Sequence, residues 1–168
     1  MTQFAKNYDD VTMYPLSPER EAELRRKQTE CTFIWTNKAG EPIGVIMSFL
    51  ETDDGHLWLT GAEQRARFPA VRRNPRTCIV ISSTGTDMGK GKTITYKGIS
   101  VIHDKADRKV KEWFYPPFAR KLRGHLGEAR VQQFIQFIDT PDRVVLEFIP
   151  NKKILYDGDK MAAATPPV

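Results

Sequence analysis

The chain has 168 residues, 40% of them hydrophobic and 28% charged, with a formal net charge of +5. That is one domain's worth of chain with a core of its own, and a composition unlike that of disordered or collagen-like proteins. No apolar run approaches the roughly 20 residues that a membrane helix needs, and no secretory leader pattern opens the chain, so no membrane association is expected and the cytoplasm is the expected location.

The positive balance is compatible with nucleic acid, anionic lipid or a polyanionic small ligand. The basic residues are dispersed over Arg25-Arg26-Lys27, Arg72-Arg73, Lys90, Lys92, Arg120, Lys121 and Arg123 rather than held in one tail. Cys31 and Cys78 sit in apolar strand-like runs with no CxxC pattern, which points to two buried thiols rather than a disulfide or a metal site. His56, His103 and His125 lack metal-ligand spacing and read as structural or surface residues, and no metal is expected.

Residues 1–16 have no sustained period and read as an extended arm. Ser17 as N-cap, Pro18 at the first helical position and the acidic Glu19 and Glu21 then start a helix that runs to about Gln28. From Glu30 the period changes to two. Cys31, Phe33 and Trp35 share one strand face, Asn37 to Gly40 make a turn, and Ile43 to Leu50 form an apolar strand. Thr52-Asp53-Asp54-Gly55 is a hairpin turn leading into the strand His56–Thr60. The segment from Ala62 is expected to be helical with a break at Pro69.

Thr77–Ser83 is the next strand. A long glycine-containing loop follows, and then the strand Thr93–His103, which Gly98 kinks or bulges. Asp104 caps a helix in which Val110, Trp113 and Phe114 share a face, expected to end at Pro116-Pro117. Glu128–Ile138 is amphipathic, and Val144–Ile149 with Lys153–Tyr156 complete the sheet. Residues 1–160 thus form one domain with an N-terminal arm and helix, and the Ala/Pro-rich stretch 161–168 is expected to be a disordered tail. Six strands joined mostly by hairpins, with helices inserted after the third and fifth, indicate the α+β class and a small closed or partly open barrel.

The chemically informative stretch is Leu57 to Arg67, continuing to Arg72-Arg73-Asn74-Pro75-Arg76. A strand ending in Thr60-Gly61 hands over to a helix start bearing Gln64, Arg65 and Arg67. Such a junction gathers backbone N–H groups, a hydroxyl and guanidinium groups, as a phosphate or other anion requires. The ordinary alternative is a strand–helix junction with a solvated basic face.

Three pieces in order are Ala39-Gly40-Glu41-Pro42, Leu59-Thr60-Gly61-Ala62-Glu63-Gln64-Arg65 and Arg72-Arg73-Asn74-Pro75-Arg76. Together they resemble the pyridoxamine 5′-phosphate oxidase-like, flavin-binding split-barrel family, from about Glu30 to Tyr156. The resemblance implies a six-stranded antiparallel split β-barrel with flanking helices, binding FMN or the deazaflavin F420 at the interface of a homodimer. It further implies that Thr60 and Gln64 touch the phosphate region and that Arg65 pairs with the phosphate. Arg67 is a second candidate for that charge. The strand Val45, Ile46, Met47 and Ser48 would lie along the cofactor ring.

Gly44 stands where the true oxidases carry an arginine, and no Arg/His motif accompanies Ile154-Leu155-Tyr156, so activity on pyridoxamine phosphate is not expected. The remaining pattern is similar to that of F420H2-dependent reductases, which places F420 slightly ahead of FMN. On that reading Lys90, Lys92 and Lys97 would meet the cofactor's anionic tail unless they are solvated loop residues. Trp113, Phe114 and Tyr115 would wall a substrate pocket unless they form the core face of their helix.

The implied activity is hydride transfer to a conjugated small-molecule substrate. The cofactor carries that chemistry, so no catalytic side chain is assigned. A non-catalytic flavin- or haem-binding protein on the same barrel is the alternative. Binding to nucleic acid is not expected, because the basic residues gather at a strand–helix junction rather than along a groove-lining strand.

Overall fold

The inward faces of the strands set the architecture of the computed structural model, which describes residues 14–165. In β1 (Glu30–Thr36) Cys31, Phe33 and Trp35 are buried and the residues between them half-exposed. In β5 (Arg76–Ser82) Thr77, Ile79 and Ile81 repeat the pattern. The remaining strands are β2 (Pro42–Ser48), β3 (Leu50–Glu51), β4 (Leu57–Ala62), β6 (Lys92–His103) and β7 (Arg143–Asp157). They form one seven-stranded antiparallel sheet in the order β2-β1-β5-β6-β7-β4-β3.

The two ends of that order, β2 and β3, are separated in the chain by Phe49 alone, so the sheet curls back on itself as a half-barrel. Phe49, Phe33, Leu59, Ile79, Ile94, Leu146 and Phe148 fill its interior. Burying side chains of this size stabilises the fold by about 1.5–3 kcal/mol each.

The expected six strands are thus seven. The added strand arises because Phe49 splits the run Ile43–Leu50 into β2 and β3; Val144–Ile149 and Lys153–Tyr156 are the two halves of a single strand, β7. Gly98 does mark a bulge, where the β6–β7 register shifts between Lys97 and Gly98. A Cβ on Gly98 would run into the Ile149 carbonyl and the Phe148 ring, so only glycine fits that close approach.

Five α-helices flank the sheet among the described residues. α1 (Pro18–Lys27) is capped by the Ser17 side chain, as expected. α2 (Arg67–Arg73) begins later than expected. The strand persists through Ala62, Gln64 and Arg65 lie in the turn after it, and Pro69 sits in the helix's first turn, where its missing N–H costs nothing. The expected break at Pro69 therefore does not occur.

α3 (Arg108–Arg123) is capped by Asp107 rather than Asp104, and it runs through Pro116-Pro117 instead of ending there. The carbonyls deprived of partners by the two prolines belong to Glu112 and Trp113, both exposed, so solvent can satisfy them. The opposite face buries Phe114, Tyr115, Phe118 and Ala119 against Trp58, Val145 and α4 (Glu128–Ile138), forming a second core outside the barrel. Trp113 lies on the exposed side, 41% accessible, and packs edge-on against Trp58.

α5 (Gly158–Ala164) extends into the stretch 161–168 expected to be disordered and covers residues 161–164 of it. Asp157 caps it, and Asp159 in its first turn pairs with the buried Lys92 at 2.7 Å and with Arg20 at 2.6 Å. These contacts order a segment whose composition alone would not. The arm expected over residues 1–16 lies mostly outside the described residues. Among those described, no helix is long and apolar enough to cross a membrane.

Candidate functional site

The end of β4 and the turn into α2 bring together the residues singled out in the sequence, and the fold adds two more. Thr60 faces outward toward α3 and donates its hydroxyl hydrogen to the Val144 carbonyl at 2.8 Å. Gln64 and Arg65 are exposed in the turn. Arg67 turns back over the strand end. A Cβ built on Gly61 would lie 2.8 Å from Arg67 Nη2 and 2.9 Å from the Phe68 ring, so the missing side chain makes room for the guanidinium. Arg67 also rests over the Phe68 ring, 5.2 Å from its centroid.

β4 pairs with the start of β7, which sets Ala62 beside Arg143. α3 lays Tyr115 alongside Thr60 and Arg143. Arg67 Nε, Arg143 Nε and Tyr115 Oη are all buried and have no hydrogen-bond partner.

The electrostatics are equally one-sided. Burial, and then the neighbouring charges of Arg65 and Arg143, lower the basicity of Arg67. Burial lowers that of Arg143 as well, with Arg65 adding to the effect. Burial pushes the Tyr115 hydroxyl up to about 12, so it remains a donor at neutral pH. The nearby carboxylates are already engaged. Glu63 pairs with Arg72 at 2.8 Å and with Lys105 at 3.3 Å, and Asp142 pairs with Lys105 at 3.4 Å. Among the described residues, no carboxylate pairs with Arg65, Arg67 or Arg143. Desolvated guanidiniums with orphaned donors are costly without a counter-charge, and an anion would supply it. α2 is only seven residues long, so side chains rather than a helix dipole make this site.

The expected ring-binding strand stands at the split in the barrel. β3 pairs with β4 at Leu50↔Trp58, and the ladder stops there. Continued two residues, that register sets Ser48 across from Thr60 at the point where β2 leaves β4. Val45 and Met47 point into the core, while Ile46 is 63% exposed and Ser48 half-buried. On this strand the side chains of Ile46 and Ser48 and the backbone edge of β2 are open to solvent. A cavity of about 210 Å³ beside Ile46, lined also by Gln28, Thr32 and Val80, lies on the outer face of β1 and β5, away from the arginines.

Other expectations resolve differently. Lys92 is buried in its pair with Asp159, so it does not reach out to an anionic tail. Phe114 and Tyr115 are core-facing, and only Trp113 is open to solvent. His56 and His103 both hydrogen-bond Glu147, at 2.7 and 2.9 Å, tying the residue before β4 to β6 and β7. Cys31 is buried and Cys78 only partly so, and both are free thiols.

Arg143 and Tyr115 were not singled out as anion-site residues in the sequence. No local signal distinguishes Arg143, whose place beside Ala62 comes from the pairing of two strands far apart in the chain.

No family model and no curated protein sequence matches the chain. Solved structures do resemble it. A conserved hypothetical protein of Mycobacterium tuberculosis superposes with a TM-score of 0.70 at 16% identity, covering 98% of this chain and 96% of its own. A putative pyridoxamine 5′-phosphate oxidase of Listeria innocua gives 0.58 at 18% identity, covering 82% and 95%. An F420 reductase gives 0.58 at 16% identity, covering 79% and 94%. The chain has the split-barrel fold of the pyridoxamine 5′-phosphate oxidase-like proteins.

Proposed function

We propose that this chain binds a flavin-type cofactor, FMN or F420, with its phosphate at the β4–α2 junction, and acts as an oxidoreductase on a conjugated small molecule. The observation that carries this reading is the set of orphaned donors on Arg67, Arg143 and Tyr115 beside Thr60 and Gly61. The resemblance to an F420 reductase and to a putative pyridoxamine 5′-phosphate oxidase supports it. When bound, such a cofactor supplies a hydride-transferring ring. The protein's part is to hold the phosphate, lay the ring along the β2 edge past Ile46 and Ser48, and keep water away.

The assembly belongs to the same proposal. β2 is an edge strand, with Ile43 39% and Ile46 63% exposed, and a second copy of the chain would cover that edge and complete the site. Titration of dialysed protein with FMN and with F420, followed by cofactor fluorescence, tests the reading. Micromolar or tighter binding of either, with loss of affinity on Arg67→Gln, is the expected result. Binding of neither would overturn it.

A further inference from the structure

Most lysines of the described residues are either engaged or open to solvent. Lys27, Lys92, Lys105 and Lys153 are held in ion pairs, and Lys111 and Lys160 donate to the carbonyls of Lys105 and Pro15. Lys38, Lys90, Lys97, Lys109 and Lys152 are exposed. Lys121 belongs to neither group. It sits half-buried in the last turn of α3, with its Nζ 3.6 Å from the centroid of the Phe49 ring. Phe49 is the residue between β2 and β3 at which the barrel opens, so this amine lies at the seam of the fold. Among the described residues no hydrogen bond or ion pair engages it, and the nearby Glu51 carboxylate is already held by Arg25 at 2.7 Å. We infer that Lys121 is an acyl-acceptor site, whose amine takes a short acyl group from an activated donor, a thioester or an acyl phosphate, to form an amide. The inference is independent of the cofactor reading.

An amine nucleophile must be unprotonated and within reach of its electrophile. The ring face attracts an ammonium only modestly, by about 0.5–2 kcal/mol, and replaces none of the hydrogen bonds that water would give it. Burial accordingly pulls the Lys121 amine down to about 8. Roughly a tenth of it is then neutral at pH 7, against well under a thousandth for an ordinary lysine. Burial lowers the basicity of Lys111 as well, but that side chain is only 2% exposed and its Nζ is fixed to the Lys105 carbonyl at 2.6 Å. Lys121 combines lowered basicity with a side chain that is not closed off. Cys31, the other titratable group beside it, is buried and pushed up to about 12, so it stays a neutral thiol and does not compete for the donor.

The step is a simple acyl transfer. The amine lone pair attacks the acyl carbon, a C–N bond forms, the donor's C–S or C–O bond breaks, and the amine's proton leaves with the thiolate or phosphate. Phe49 offers neither an acid nor a base, which favours a donor that carries its own good leaving group over chemistry that must expel water, such as imine formation. The product amide is uncharged, so the reaction removes a cation from a desolvated position where nothing on the protein balances it.

The full chain is incubated with acetyl phosphate and, separately, with acetyl coenzyme A from about pH 7 to 10, and peptide mass spectrometry follows acetylation lysine by lysine. At pH 7 Lys121 is expected to react at least about tenfold faster than Lys38, Lys109 or Lys152 with one donor or both, and the donor that shows this selectivity identifies the source. The Lys121 rate should level off above about pH 8. In urea the residue should lose its advantage, and its rate should keep climbing toward about pH 10, as an ordinary lysine's does. No preference for Lys121 with either donor would overturn the inference. So would a rate in the folded protein that climbs without levelling off, or a preference that survives unfolding and thus owes nothing to the seat over Phe49.

Discussion

Arg67 Nη2 lies 2.8 Å from the point where a Cβ on Gly61 would sit. The absence of one side chain at the end of β4 thus determines where a guanidinium from the next helix can rest. Gly61→Ala has two ways to relieve the clash, by moving Arg67 or by moving Phe68. The Phe68 ring, 2.9 Å from the same point, is completely buried and cannot give way. The expected outcome is a folded protein destabilised by about 1–3 kcal/mol, with Arg67 displaced and anion affinity reduced. Chemical denaturation and an FMN titration on the same variant would check both parts. Unchanged stability and affinity would mean that the junction is looser than its geometry implies.

Arg65 and Arg67 should not contribute equally. Arg67 is partly desolvated and has an orphaned Nε, whereas Arg65 is exposed in the turn. Arg67→Gln is expected to weaken cofactor binding by about 1.5–3 kcal/mol, the scale of a lost charge-assisted hydrogen bond. Arg65→Gln should cost less and be more sensitive to added salt. A salt series of titrations on both variants separates the two. Equal losses would place both arginines in the same degree of solvent contact.

The oligomeric state turns on the β2 edge. Ile46→Lys puts a charge into the exposed apolar position of an edge strand, which a dimer interface would not accept and a free edge would tolerate. Light scattering after size exclusion is expected to show wild type as a dimer and Ile46→Lys as a monomer, with cofactor binding reduced in the monomer. A monomeric wild type would remove the second subunit from the proposed site.

Lys121 gives a prediction for pH. Its ammonium lies 3.6 Å from the centroid of the buried Phe49 ring, and burial pulls its pKa down to about 8. Because the folded value lies below the ordinary 10.5, the charged form is disfavoured by folding. The penalty is fully present below pH 8 and is relieved as pH rises from about 8 to 10.5, where the unfolded chain still binds a proton that the folded chain has released. Lys121→Met should therefore raise stability at pH 7 by roughly 1–3 kcal/mol, and its advantage over wild type should shrink across that window. Melting curves of the two proteins at pH 7 and pH 10 provide the comparison. A constant difference would assign the effect to packing instead of charge.

Much of the sheet was legible because its signals are local. Alternation along Cys31-Phe33-Trp35 gave β1, Ser17-Pro18 gave the start of α1, and Gly98 gave the bulge. Errors arose where a residue's usual behaviour depends on position. Pro69 reads as a breaker only if the helix has already begun, and here it lies in the first turn. Pro116-Pro117 reads as a stop unless the residues whose carbonyls they orphan are exposed, as Glu112 and Trp113 are. The candidate site was half legible for a related reason. Thr60, Gly61, Arg65 and Arg67 are neighbours in the chain, while Arg143 and Tyr115 reach them only through strand pairing and helix packing.

The pairing of Lys92 with Asp159, beside Asp157 and Arg20, bears on how the protein is handled at the bench. A chain trimmed back to the last strand, at residue 157, would lose Asp159 and leave the Lys92 ammonium without its ion-pair partner. Affinity handles are therefore better appended beyond an intact α5 than substituted for it, and limited proteolysis that removes this short helix should produce a less soluble, more easily unfolded fragment rather than a cleaner domain.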